Sequence, residues 1–155
     1  MPTNQNSLNL LRDSLTLHNS LRSSLDQKAS FLVAITAVIF GLSVIRLDSV
    51  NFLVLAMCSF VTLVLAIFVV FLPFRGKRNE RFSLLCWWGF VKKDFGQYKK
   101  ELTGVFASDD TIANEYMQEI WTVMQYSIKP KSKILKIASF ILVFGLLTGF
   151  ILSFI

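Results

Sequence analysis

The chain has one histidine and two cysteines, and that scarcity removes several chemistries. His18 has no second histidine, no acid three or four residues away and no cysteine nearby, so no metal site can be built around it. Cys58 falls inside a long apolar run and Cys86 in the interior segment that follows it, so the two are not expected to be neighbours in an oxidising space and a disulfide is not expected. A glycine-rich phosphate loop, a G-x-S-x-G elbow and an H-E-x-x-H helix are all missing. No ionisable residue falls in the middle of a long apolar run, where a selective transporter or proton pump usually needs one. Strand alternation, internal repeats and low-complexity tracts are lacking too. The expectation is a protein without catalysis, metal or cofactor.

What the chain does have is hydrocarbon. Of its 155 residues 54% are hydrophobic, and the mean hydropathy is +0.56. Three stretches, 31–45, 52–74 and 134–155, read as membrane spans, and the last two reach the roughly 20 residues that cross a bilayer core. The predicted fold is therefore all-α: an integral membrane protein with three transmembrane helices and a cytoplasmic helical region. Four segments follow. Residues 1–30 form an N-terminal amphipathic helix, 31–74 a transmembrane hairpin, 75–133 a cytoplasmic helical region and 134–155 the third span. The first span lies behind a polar arm and lacks a small-x-small site, so no cleavable signal peptide is expected.

The net charge of +6 is unevenly placed. Arg75, Lys77, Arg78, Arg81, Lys92, Lys93, Lys99, Lys100, Lys129, Lys131, Lys133 and Lys136 cluster between the second and third spans or at the edge of the third. The first loop carries only Arg46, balanced by Asp48. Basic residues near span ends stay cytoplasmic. The predicted topology is N-terminus inside, first loop outside, basic midsection inside and C-terminus outside. The same charges touch anionic headgroups, and a nucleic acid polymer is not the expected partner.

In the arm, Ser7 can cap a helix whose Leu8, Leu11, Leu15, His18, Leu25, Ala29 and Leu32 recur at helical spacing, with Leu10, Leu17 and Leu21 on an adjoining stripe. No glycine or proline interrupts it before Gly41, so one helix is predicted from the arm into the first span. Its apolar stripe can pack on the midsection, on a neighbouring subunit or on the membrane surface. Asp26 and Lys28, with Ala29, stand where that helix meets the membrane. They read either as a cap with a snorkelling lysine or as a charged pair controlling the junction. Helices are also expected over 92–106 and from a cap at Ser108 or Asp109 onward. Glu115 and Glu119 read as surface charges. Pro130 either opens the third span or kinks a continuous helix. Gly41, Gly145 and Gly149 are candidate helix-packing positions, the last two spaced as G-x-x-x-G.

Three segments together resemble the small membrane effectors of bacterial Pycsar antiphage systems. Asp26–Gln27–Lys28–Ala29–Ser30 resembles that family's Asp-x-Lys-Ala lead into the first span. Trp88–Gly89–Phe90, then Phe95–Gly96–Gln97–Tyr98 with Leu102, is similar to its aromatic-glycine segment and following helix. Asn114–Glu115–Tyr116 through Ile120, the lysine-rich stretch 129–133 and the Gly145-bearing span are similar to its C-terminal part. Pro130 and the leucine-rich arm from Ser7 to Leu25 depart from the pattern. The resemblance implies an effector that responds to a cyclic pyrimidine mononucleotide, cUMP or cCMP, and damages the inner membrane so that the cell dies before phage matures.

Three readings remain open on the residues. The first is a membrane-disrupting effector acting as a homo-oligomer. Its candidate anion-binding face carries Arg75, Lys77, Arg78, Arg81, Lys92 and Lys93, with Trp87 or Trp88 stacking a base. The second is a non-toxic structural subunit that docks a partner through the leucine stripe. The third is a channel whose subunits line a pore with Thr36, Ser43, Ser59, Thr62, Ser139, Thr148 and Ser153.

Overall fold

A computed structural model describes residues 5–47, 49–71, 83–84 and 93–154. Among these residues the chain is 90% helical and has no strand. Helix α1 spans Gln5–Val44, α2 Val50–Phe71, α3 Phe95–Val105, α4 Asp109–Val123 and α5 Lys129–Leu152, with a π-helical turn at Met124–Ile128. Three helical runs are long and apolar enough to cross a membrane: Leu8–Val44, Val50–Phe71 and Asp109–Leu152.

The single long helix expected from the arm is present. At 1.5 Å per residue its 40 residues reach roughly 60 Å, twice a hydrocarbon core, so only its apolar second half belongs in lipid. It begins at Gln5, which makes Ser7 an interior residue and not the expected cap. Asp26 likewise lies inside α1 and caps nothing. Only a short connection separates Val44 at the end of α1 from Val50 at the start of α2.

The helical run from Asp109 to Leu152 is continuous. Pro130 is its residue with no N–H to donate and a ring that opposes the carbonyl four positions back. The π-helical turn ends two residues before it, and its wider ladder takes up that mismatch without ending the helix. Only the part from Ile134 is free of charge over a bilayer's depth apart from Lys136. Helix α4 precedes it and is opened by Ser108, whose Oγ accepts from the Thr111 N–H at 3.3 Å, with Asp109 and Asp110 in the first turn. Asp94 caps α3 by accepting from the Gly96 N–H at 3.2 Å.

The chain divides into two compact units. One combines Met1–Arg22 with Phe74–Ile128. In it Leu8, Leu11, Leu15 and His18 are half-buried, and the His18 Nδ1 lies 2.7 Å from the Ser14 carbonyl oxygen. The adjoining stripe is exposed: Leu10 by 70%, Leu17 by 59% and Leu21 by 45%. On α3, Val105 is buried and Tyr98 and Leu102 are half-buried, whereas Phe95 and the C-cap residue Phe106 are exposed.

The other unit, Ser23–Pro73 with Lys129–Ile155, holds the spans. Its helices α2 and α5 run antiparallel and close. The Asn51 side-chain amide, at the start of α2, donates to Ser153 Oγ at 3.0 Å, beyond the end of α5. Deeper in, Thr62 Oγ1 donates to its own helix at Cys58 O (2.8 Å) and to Ala138 O of α5 (3.3 Å). Buried positions on α2 are Ala56, Ser59, Thr62, Ala66 and Val69, and on α5 Lys131, Leu135, Ala138, Leu142, Gly145 and Gly149. Steps of three and four place each set on one helical face. Small residues dominate because lipid tails supply no hydrophobic drive for helix association, so close backbone approach must hold the seam. Helix α1 joins this pair through Ala29, which clusters with Val69 and Leu135, and through Phe40, whose ring centroid is 5.6 Å from that of Phe60.

Candidate functional site

The charged junction of the spans is built by two helices. Lys131 is the first member of the buried seam of α5, one turn before Leu135, and is 4% exposed. Its Nζ forms an ion pair with Asp26 Oδ1 of α1, a carboxylate that is 39% exposed. Beside the pair, Ala29 is fully buried against Leu135 and Val69. Of the two readings of Asp26 and Lys28, the charged pair forms with Lys131 in place of Lys28. Residues two apart on a helix do not face each other, and Lys28 points into a separate groove between α1 and α5. A buried ammonium is tolerated only when it is paired and hydrogen-bonded, so α1 and α5 depend on each other at this level.

The glycines divide by environment. A Cβ added at Gly145 would overlap the Cys58 Cβ of α2 and lie 3.1 Å from its Sγ. At Gly149 the nearest atoms would be at 3.6 and 3.8 Å, ordinary contact distances, and at Gly41 there is nothing within 4 Å. Gly145 thus serves close packing within one chain, whereas Gly41 faces open space. The free thiol of Cys58 fills the surface opposite Gly145; Cys86 lies outside the described residues. Thr36, Ser43, Ser59 and Thr62 are buried, and each donates to a carbonyl of its own helix.

A polar cavity lies in the other unit. It has a volume of about 300 Å³ between α3 and α4, with Glu101, Val105, Thr111, Asn114, Glu115 and Gln118 among its walls. Glu115 is not the surface charge expected from sequence. It is 4% exposed, and its Oε2 accepts from the Leu84 N–H at 2.8 Å. Glu119, one turn on, has a buried Oε2 with no hydrogen-bond partner. Burial, and secondarily the charge of Glu115, raise its pKa above the ordinary 4.5. The signal was present in the sequence, since both glutamates fall within the apolar stripe that carries Ile112, Tyr116 and Val123.

Of the candidate anion-binding residues, Arg75, Lys77, Arg78, Arg81, Trp87, Trp88 and Lys92 lie outside the described residues, as does Pro73. Lys93 is described, and its ammonium is ion-paired with Glu101 of α3. No group of three or more metal-ligating side chains occurs among the described residues.

Long apolar helices, a seam of small residues and a buried ion pair where the spans begin define an all-α integral membrane protein. The Pycsar effector protein domain, PycTM, matches residues 9–155, and the chain belongs to that family. The protein is thus an antiphage effector in a membrane. Comparison with curated proteins and with solved structures gave no match.

Proposed function

We propose that this effector responds to a cyclic nucleotide second messenger, a cyclic pyrimidine mononucleotide, by impairing the inner membrane of its host and ending the infection with the cell. The chain does so without catalysis and as a homo-oligomer. The N-terminus and the basic midsection are cytoplasmic and the C-terminus is outside, in keeping with the Lys and Arg flanking the spans. The basic face that includes Arg75, Arg78 and Arg81 would meet the phosphate, and Trp87 or Trp88 the base.

The observation that carries this reading is the Asp26–Lys131 pair. A buried charge shared by two spans is a two-state element: closed it holds α1 to α5, and opened it leaves an ammonium that must find water or headgroups. A ligand shifts such an equilibrium only by binding one state better than the other. Three spans do not enclose a pore, so damage requires several subunits. The exposed Leu10, Leu17 and Leu21, spaced by seven and four on the arm, offer the surface for their association.

The test is dye uptake in cells that express the chain with a pyrimidine cyclase. Permeability that rises with the nucleotide, and is lost in Leu10→Ser/Leu17→Ser, supports the proposal. No permeability change on raising the nucleotide refutes it. The second reading, a non-toxic subunit docking another protein, is favoured by the same stripe. Stable co-purification with the neighbouring gene product, without toxicity, selects it.

A further inference from the structure

Between α1 and α5, on the unit that holds the spans, runs an open groove of about 540 Å³. Phe31, Leu32 and Ile35 of α1 form one wall, and Leu135 of α5 the other. Two lysines border it, Lys28 from α1 and Lys136 from α5, and the Ser132 side chain adds a hydroxyl. Both lysines are exposed, and neither has an acidic partner among the described residues, because Asp26 is engaged by Lys131.

Lys28 lies two residues beyond Asp26 along α1, and Lys136 five beyond Lys131 along α5. At 1.5 Å rise per residue they stand about 3 Å and about 7.5 Å further along their helix axes than the two members of the ion pair, on the side toward the apolar spans. Phe31, 69% exposed, follows one turn deeper. Cationic heads therefore sit at the start of a furrow whose remaining lining is hydrocarbon. A bulk snorkelling lysine needs no such furrow. The volume is that of a small-molecule site, and its polarity runs from charged to apolar along one direction.

We infer that this groove holds one anionic phospholipid, its phosphate between Lys28 and Lys136 and an acyl chain along Phe31, Ile35 and Leu135. The charge complementarity selects the occupant. A spanning helix α1 or α5 of a second copy in the same membrane would bring its own lysines to the same level, like charge against like. A free cyclic nucleotide would leave the apolar walls uncovered. The inference does not depend on the nucleotide response.

Native mass spectrometry of the full chain released from nanodiscs tests it, with phosphatidylglycerol against phosphatidylcholine as probes. The wild type should retain one phosphatidylglycerol per chain in preference to phosphatidylcholine. Taking about a factor of five for each lysine near a headgroup, Lys28→Gln/Lys136→Gln should weaken retention about twenty-five-fold. Ser139→Phe, which fills the groove without changing charge, should expel the lipid as well. Lys133→Gln, an exposed lysine outside the groove, should leave retention unchanged. Equal retention of the two lipids, or a loss with Lys133→Gln as large as with the double variant, overturns the inference. So does displacement of the lipid by cUMP, or a Phe31→Cys cross-link between two copies.

Discussion

Gly145→Ala is the sharpest perturbation of this fold. The new Cβ would overlap the Cys58 Cβ and lie 3.1 Å from its Sγ. Carbon atoms rest at about 3.5–4.0 Å, and neither Cβ can rotate away, since both are fixed to helical backbone. Helices α2 and α5 must then part at their middle, and the Thr62–Ala138 hydrogen bond, already 3.3 Å, lies within two turns of the wedge. Overpacking of this kind costs about 1–3 kcal/mol, and fixed backbone places this case at the upper end, about 3 kcal/mol. Gly149→Ala meets neighbours at ordinary distance and Gly41→Ala meets none, so both should stay within about 0.5 kcal/mol of wild type. Reversible unfolding in mixed micelles reads these differences directly. Cys58→Gly removes the opposing Cβ, and a double-mutant cycle should recover most of the loss as coupling. Equal stabilities for the three alanine variants, or no coupling with Cys58→Gly, would refute the packing argument.

Two further outcomes follow from the charged groups. Asp26→Asn should destabilise the spans by about 3 kcal/mol, the lower end for breaking a buried pair because Asp26 itself is part-exposed; adding Lys131→Met should restore much of that in the same unfolding assay. A single variant no less stable than wild type would show that the pair holds nothing. Glu119 gives a pH dependence. Its raised pKa means that the folded state binds more protons than the unfolded state above about pH 4.5, so stability of this unit falls as pH rises through the window between that value and the raised one. Hydrogen exchange of the α3–α4 amides should show this fall, and Glu119→Gln should flatten it. An unchanged slope in that variant would assign the pH dependence elsewhere.

Much of the architecture could be read along the chain. The unbroken period from Leu8 to Gly41 foretold α1, and the short Arg46–Asn51 link marked the break between α1 and α2. Ser108, with two aspartates after it, marked the start of α4. The site was less legible. Asp26 was singled out, but with Lys28 as its neighbour in sequence, because nothing local announces a partner more than a hundred residues away. In sequence Lys131 is one of twelve basic residues that set the topology. Extending the α5 seam back one turn from Leu135 would have shown it to be different from Lys129 and Lys133, which are exposed. Glu115 and Glu119 read as surface charges by residue type, yet both lie on an apolar stripe.

Hydropathy, helical period and charge asymmetry are sums over neighbouring residues. The sequence alone therefore determined that three helices take lipid as solvent, that α1 runs on into the arm, and that the family motifs stand in order. The partner of Asp26, the difference between Gly145 and Gly41, and the groove bordered by Lys28 and Lys136 were decided only by tertiary structure. Each depends on the rotation of one helix against another and on the register between segments far apart in the chain. Small residues can face lipid or a neighbouring helix with equal ease, and only packing chooses.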